Sequence, residues 1–156
     1  MGRFTNVATA DASGRGNYFP NLTCRYKVKV ASAKVISTRK GQTAFILELE
    51  NLATLSSPSG KAEDPDGRTV PAVGDTRSWY CNLSNDAGPA DMKRFAQLIG
   101  SILDEPCGSD AEVEALCEAI VDEKESCIAG LELELSTYNR NTRAGSPFTI
   151  HDFSAI

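Results

Sequence analysis

Apolar and polar residues alternate in three runs of the first half of the chain. Residues 26–31 alternate apolar side chains with lysines, and residues 43–50 place Phe45, Leu47 and Leu49 at every second position. The third run, residues 75–83, contains the only tryptophan. Because successive side chains of a strand point to opposite faces, each run predicts a β-strand with one buried face.

The middle of the chain changes to a period of three to four residues, which predicts two helices. Apolar side chains recur at this spacing from Met92 to Leu103, and a second stripe predicts a helix from residue 109 or 110 to about residue 124. Alternation returns in residues 127–138 and 147–153, which predict two more strands. The last run leaves the burial of Phe148 and Phe153 open.

Three strands, a helical insert and two strands are the element order of the five-stranded OB-fold barrel. The sequence therefore predicts a mainly β, α+β domain of this architecture, with helices between strands 3 and 4. A helix-flanked antiparallel sheet of another topology is the alternative. We expect an N-terminal arm in residues 1–23 and the OB-fold domain in residues 24–156, with a flexible insertion at 51–73 and the helical insert at 86–125.

Charge is distributed unevenly along the 156 residues, although the net charge is only −5. Residues 1–43 contain eight basic residues and one acidic residue, whereas residues 104–128 contain nine acidic residues and one basic residue. This pattern predicts a basic strand region and an acidic helical region. No apolar run approaches the roughly 20 residues that cross a bilayer, and the N-terminus lacks an apolar stretch. We therefore expect no membrane span and no signal peptide.

Catalytic and metal-binding patterns are not found in the sequence. Five cysteines form no Cys-x-x-Cys pair, and the single histidine, His151, has no recognisable partner motif. Free thiols in a reducing cytosol are the preferred interpretation. No glycine-rich phosphate loop precedes a predicted helix. We therefore expect a protein that is not an enzyme, with no catalytic residues, no metal site and no cofactor.

Basic side chains fall where a barrel of this kind binds nucleic acid. Single strands are held by cations that follow the phosphates and by rings on which bases stack. Lys27 and Lys29 project from the polar face of the first strand. Basic turns at residues 37–42 and 139–146 join strands 1 and 2 and strands 4 and 5, and in the OB-fold these two turns flank the binding face.

Two aromatic positions are candidates for stacking bases. Arg77 and Trp79 share one face of the third strand, and Tyr80 lies on the other. If Tyr80 is in the core, Trp79 is a stacking platform beside a cation; otherwise Trp79 is buried and Tyr80 is exposed. Tyr138 shares the outer face of strand 4 with Glu132 and Glu134, and these two carboxylates would repel phosphate.

A series of short motifs then adds to this interpretation. They are Tyr-x-Val-x-Val at 26–30, Arg-Lys-Gly at 39–41, Phe-Ile-Leu-Glu-Leu at 45–49, Val-Gly at 73–74, Trp-x-x-Asn-Leu at 79–83 and Lys-x-Phe at 93–95. Over about residues 16–103, this series resembles the OB-fold single-stranded-DNA-binding proteins of tailed bacteriophages.

The resemblance implies an accessory protein of DNA replication or recombination that coats single strands in the host bacterial cytoplasm. It carries over five binding positions, namely Lys27, Lys29, Arg39, Lys40 and Trp79. Many such proteins end in an acidic tail capped by Phe that recruits replication enzymes, whereas residues 151–156 hold one acid. The acidic helix at 109–125 would contact such enzymes instead, and the insertion at 51–73 also departs from the family pattern.

The sequence thus predicts a largely sequence-independent single-stranded-DNA-binding protein, with its oligomeric state open. The alternative is an OB-fold module for protein–protein interaction or virion assembly. The candidate nucleic-acid-binding residues are Lys27, Lys29, Lys34, Arg39, Lys40, Arg77, Trp79, Tyr138, Arg140 and Arg143.

Overall fold

The computed structural model describes residues 17–58 and 67–156. In chain order, the elements are β1 (Cys24–Ser37), β2 (Thr43–Ser56), β3 (Thr76–Asn82), α1 (Gly88–Leu103), α2 (Asp110–Ile120), β4 (Glu132–Asn141) and β5 (Pro147–Ser154). The predicted class, mainly β with helices between the third and fourth strands, is confirmed. Residues 1–16 of the predicted arm and residues 59–66 of the predicted insertion lie outside the described residues.

All five strands form one antiparallel sheet in the order β3-β2-β1-β4-β5. The central strand β1 pairs with β2 along its length and with β4 only from Cys24 to Lys29. Strands β3 and β5 are the two outer strands, and within the described residues no hydrogen-bonded ladder joins them. The sheet is therefore open.

The first two strands are longer than the alternation predicts. β2 continues through Ser56, so its last six residues replace the start of the predicted insertion at 51–73. Asn51 explains this difference, because its buried side-chain amide donates to the Pro71 carbonyl at 3.0 Å and to the Thr54 hydroxyl at 3.1 Å. A polar residue whose amide donates two hydrogen bonds inside the fold can continue a strand that its composition does not predict.

The buried faces of β1 and β2 are those predicted from alternation. Tyr26 and Val28 of β1, and Phe45 and Leu47 of β2, are fully buried. Each such side chain contributes about 1.5–3 kcal/mol through the burial of apolar surface. Helix α1 covers this layer with Phe95, which lies with its ring centroid 6.0 Å from that of Phe45.

Helix α2 is shorter than predicted and ends at Ile120 rather than near residue 124. A capping box opens it, because the Ser109 hydroxyl accepts from the Glu112 N–H and the Glu112 carboxylate accepts from the Ser109 N–H. After Ile120, the Asp122 carboxylate accepts from two backbone N–H groups, and the Ser126 hydroxyl donates to the Ile120 carbonyl at 2.6 Å. These local hydrogen bonds replace the helical ones and end the helix.

Strand β4 begins later than predicted, because residues 127–131 form a turn that reaches the centre of β1. Gly130 has a φ of 78°, and its N–H donates to the Val30 carbonyl at 3.0 Å. The Val30 N–H in turn donates to the Leu131 carbonyl at 2.8 Å. Val30 is therefore the last residue of β1 with a backbone partner on the side of β4.

The described end of the predicted arm packs beside β3 and β5. Phe19 is buried, and its ring lies 6.0 Å from that of His151 in β5. The Asn17 carbonyl accepts from the Ser78 N–H of β3 at 2.8 Å. Residues 17–19 therefore lie at the gap between the two outer strands.

Candidate nucleic-acid interface

The predicted lysines of β1 lie on its outer face, where glutamates accompany them. Lys27 forms an ion pair with Glu132 at 3.4 Å, and Lys34 forms one with Glu48 at 3.9 Å. Arg25, on the same face of β1, is paired with Glu134. The outer face of β1 is therefore largely charge-balanced rather than uniformly basic.

Three predicted cations of β1 and of the turn that follows it have no carboxylate partner within the described residues. Lys29 is half-buried and stands opposite Glu50 and Glu132 in the strand register, without an ion pair to either. Arg39 and Lys40 are exposed in the turn between β1 and β2. This turn and the β4–β5 turn lie at opposite ends of β1, because the far end of β4 passes Cys24, the first residue of β1.

Arg77 lies on the buried face of β3, opposite Leu49 of β2. Its guanidinium donates to the Thr76 carbonyl at 3.1 Å and lies 3.8 Å from the Asp75 carboxylate. Only 13% of its side chain is exposed. Arg77 is therefore held by its neighbours in the fold.

Trp79 is a core residue, so the alternative that makes it an exposed stacking platform is wrong. Its exposed fraction is 7%, and its ring lies within 5.8 Å, centroid to centroid, of the rings of Phe45, Phe95 and Phe153. The register explains the burial, because Trp79 stands opposite fully buried Leu47. Tyr80 points to the other face and is 38% exposed.

Tyr138 and Arg140 are brought together near the end of β4. The Arg140 guanidinium lies over the Tyr138 ring, 5.6 Å from its centroid, and donates to the Asn139 carbonyl at 3.0 Å. A cation over a ring face is attracted by its quadrupole. Arg143 follows in the exposed β4–β5 turn. The pairing of Tyr138 with Ile150 and of Arg140 with Phe148 places two further apolar side chains beside them.

A groove of about 740 Å³ runs between α1, β3 and the β4–β5 hairpin; we call it the hairpin groove. Rings are its dominant feature, and Phe148 is the most exposed of them at 42%. The aromatic residues that line it are Trp79, Tyr80, Phe95, Tyr138, Phe148, His151 and Phe153. Of the predicted site residues, Trp79, Tyr138 and Arg140 meet in this groove.

Both signs of charge occur in the hairpin groove. Arg94 of α1 lines it and is paired with Asp91, and Asp152 of β5 lines it as well. Within the described residues Arg140 has no carboxylate partner. Burial lowers the pKa of His151 from its ordinary 6.5 to about 4, since burial disfavours the charged imidazole, and the Arg68 guanidinium adds to this effect. The imidazole is therefore neutral at pH 7.

Most residues of the groove are not among the sequence candidates, and Tyr80, Phe148 and Arg94 are the ones that bear on binding. The sequence leaves the burial of Phe148 and the choice between Trp79 and Tyr80 open, and it does not single out Arg94. Alternation with buried Trp79 identifies Tyr80 as exposed once the register of β3 is known. No signal in the sequence places Arg94 in one groove with the β4–β5 hairpin, because they come together only when α1 packs across the open side of the sheet.

No metal site is found within residues 17–58 and 67–156. There, no three His, Cys, Asp or Glu side chains come together as a group that could hold a metal ion. All five cysteines are free thiols. The helices of this part of the chain are too short or too polar to cross a membrane. In comparisons with protein-family models and with curated protein sequences, nothing matches this chain.

Proposed function

We propose that this protein binds single-stranded DNA, with bases stacked in the hairpin groove. The observation that carries this proposal is the pair of exposed rings there, Phe148 and Tyr80, beside the Arg140–Tyr138 pair. Every base has a π face, so stacking on rings holds single strands largely without regard to sequence. A duplex keeps its base faces stacked inside and cannot use such rings.

The proposed fold is a partly open OB-fold barrel. Its support is the strand order, in which β1 lies at the centre and pairs with both β2 and β4. The outer strands approach each other through side chains, since the Trp79 and Phe153 ring centroids lie 5.1 Å apart. The OB-fold is a five-stranded, partly open barrel that binds oligonucleotides on the face of strands 2 and 3 and with the loops that join strands 1 and 2 and strands 4 and 5. The resemblance to phage single-stranded-DNA-binding proteins points the same way.

Phosphate contacts are assigned to the arginines of the groove and of its adjoining turn. These are Arg140 and Arg143. Arg94, Lys27 and Lys34 contribute less, because each already contacts a carboxylate. With two phosphates neutralised, log K against log salt has a slope of about −1.4, so affinity falls roughly 7-fold between about 50 and 200 mM salt.

A fluorescence-anisotropy titration with oligo-dT of about 20 nucleotides tests the proposal at these two salt concentrations. Phe148→Ala should weaken binding by about 1–3 kcal/mol, because one stacked base loses its ring. Leu55→Ala is the matched control, since Leu55 is also an exposed apolar residue of a strand but does not line the groove. Circular dichroism should show both variants folded.

Arg140→Gln separates the phosphate contact from stacking. It should weaken binding to all sequences equally and reduce the salt slope by about 1. Two results would reject the proposal: no binding of oligo-dT at the lower salt concentration, or binding that Phe148→Ala and Arg140→Gln leave unchanged.

The cellular role that we propose is the coating of single strands during phage DNA replication or recombination in a bacterial cytoplasm. The acidic face of α2, with Glu114 and Glu118 exposed, is the proposed contact for replication or recombination enzymes. The second candidate, a module that only binds other proteins, is favoured by the same acidic face. Failure of the oligo-dT titration would leave this second candidate.

A further inference from the structure

The second half of β1 has an open backbone edge. After Lys29, β1 leaves β4, and its last hydrogen bonds on that side join Val30 to Gly130 and Leu131. Ala31 lies at a register shift and has no partner in the ladder, whereas Ser32 to Ser37 pair with β2 only. No other described residue bonds the second edge of Ala31 to Ser37. Unpaired N–H and C=O groups on such an edge are a template for another strand.

This edge carries apolar side chains and borders a groove. Val35 and Ile36, both β-branched, are 45% and 37% exposed. A groove of about 1140 Å³ lies between residues 31–35 and the end of α2 with the segment that follows it. We call it the edge groove. It offers space beside the edge, where a further strand would lie about 4.8 Å from β1.

Charge next to the edge groove is complementary to charge on the same chain. Glu118, Asp122 and Glu123 line the groove on its α2 side together with Lys124, and Lys34 lines it on the β1 side, so the α2 side carries a net negative charge. Arg39 and Lys40 are exposed in the turn that directly follows the edge, and within the described part of the chain neither forms an ion pair. If the strand in the groove is a second β1 running antiparallel, its Arg39–Lys40 turn lies near Ala31, where the edge of the first β1 begins.

These features together identify the occupant as a second copy of this chain. We propose that two copies form a symmetric dimer by antiparallel pairing of their 31–37 edges. Each basic turn would then meet the acidic groove wall of the other copy, twice by symmetry. An isologous interface requires one patch that is complementary to itself, and the edge, the basic turn and the acidic wall form such a patch.

The mass of the full chain in solution, measured by light scattering without nucleic acid, tests the dimer independently of DNA binding. The mass of two chains is expected at micromolar concentration. Val35→Lys should raise the dimer dissociation constant at least about tenfold, because it replaces an apolar contact by a second positive charge beside Lys34 near the centre of the interface. Val73→Lys is the control, since Val73 is 74% exposed in the loop before β3.

A charge exchange tests the proposed pairing directly. One variant carries Arg39→Glu with Lys40→Glu, and the other carries Glu118→Lys with Glu123→Lys. Each alone should be monomeric, because like charges face each other at both ends of the interface. Their equimolar mixture should have the mass of a heterodimer, because one contact pairs the acidic turn with the basic wall and the other pairs the unchanged basic turn with the unchanged acidic wall.

Three results would overturn the dimer. The first is that the wild-type protein has the mass of one chain at every concentration. The edge would then bind another protein or stay unpaired. The second is a dimer that Val35→Lys does not weaken, which would place the interface elsewhere. The third is a mixture of the charge variants that stays monomeric although each variant is folded by circular dichroism.

Discussion

Replacing Gly88 by alanine should destabilise the fold strongly, because the start of α1 touches the end of β3. A Cβ at Gly88 would lie 1.6 Å from the carbonyl oxygen of Asn82 and 2.5 Å from its carbonyl carbon. Both are backbone atoms, so no side-chain rotation relieves the contact. Non-bonded heavy atoms need roughly 3.5 Å, so the helix start would have to move by about 2 Å.

That movement breaks contacts on both sides of Gly88. Its N–H donates to the Asn85 side-chain oxygen at 2.6 Å, and its carbonyl accepts from the Cys81 thiol at 3.2 Å. Overpacking typically costs about 1–3 kcal/mol, and this contact between backbone atoms places the cost near 3 kcal/mol. The better helix propensity of alanine offsets up to about 1 kcal/mol of it. We expect a loss of about 2–3 kcal/mol in the free energy of unfolding, or a Tm lower by roughly 5–10 °C.

Urea unfolding followed by the fluorescence of Trp79 measures this loss, since Trp79 packs against Phe95 of α1. Gly108→Ala is the matched control, because the nearest atom to its Cβ would be a Glu112 carboxylate oxygen at 3.8 Å. It should change stability by no more than about 0.5 kcal/mol. If Gly88→Ala is as stable as Gly108→Ala, the close packing of α1 on β3 is incorrect.

The remaining predictions concern the pH profile and the helix cap. The free energy of unfolding should fall as pH drops from about 6.5 to about 4, by at most about 3 kcal/mol, because the unfolded chain protonates His151 before the folded one does. His151→Phe should remove this component of the profile in urea titrations across that range, and a profile equal to the wild type would contradict the burial of the imidazole. Ser109→Ala should cost about 1 kcal/mol through loss of the α2 capping box. Ser101→Ala, inside α1 and exposed, should cost nothing, and an equal loss in both variants would show that the cap adds no stability.

The sequence was sufficient where local periodicity decides the outcome. Tyr26, Val28 and Phe45 are buried as their alternation predicts, since a strand with one covered face must repeat every second residue. The choice between Trp79 and Tyr80 was not local. Both rings suit a strand, and only the pairing of Trp79 with Leu47 shows which one enters the core.

The candidate site depended more on tertiary structure than on periodicity. Tyr138 and Arg140 were predicted because one hairpin holds both. The ion pair of Lys27 with Glu132 could not be predicted from the sequence, because it depends on the register of β1 against β4. No short segment of the chain encodes that register. Phe148 could not be assigned for a related reason, since the exposure of an outer strand depends on what packs beside it.

Rings rather than backbone hydrogen bonds hold β3 and β5 near each other, with Phe153 in contact with both Trp79 and Phe95. A ladder of hydrogen bonds breaks within a fraction of an ångström, whereas contacts between rings weaken gradually as the rings slide. The gap between β3 and β5 is therefore the part of the sheet that yields most easily, and the β4–β5 hairpin can shift relative to β3 while every strand keeps its own ladder.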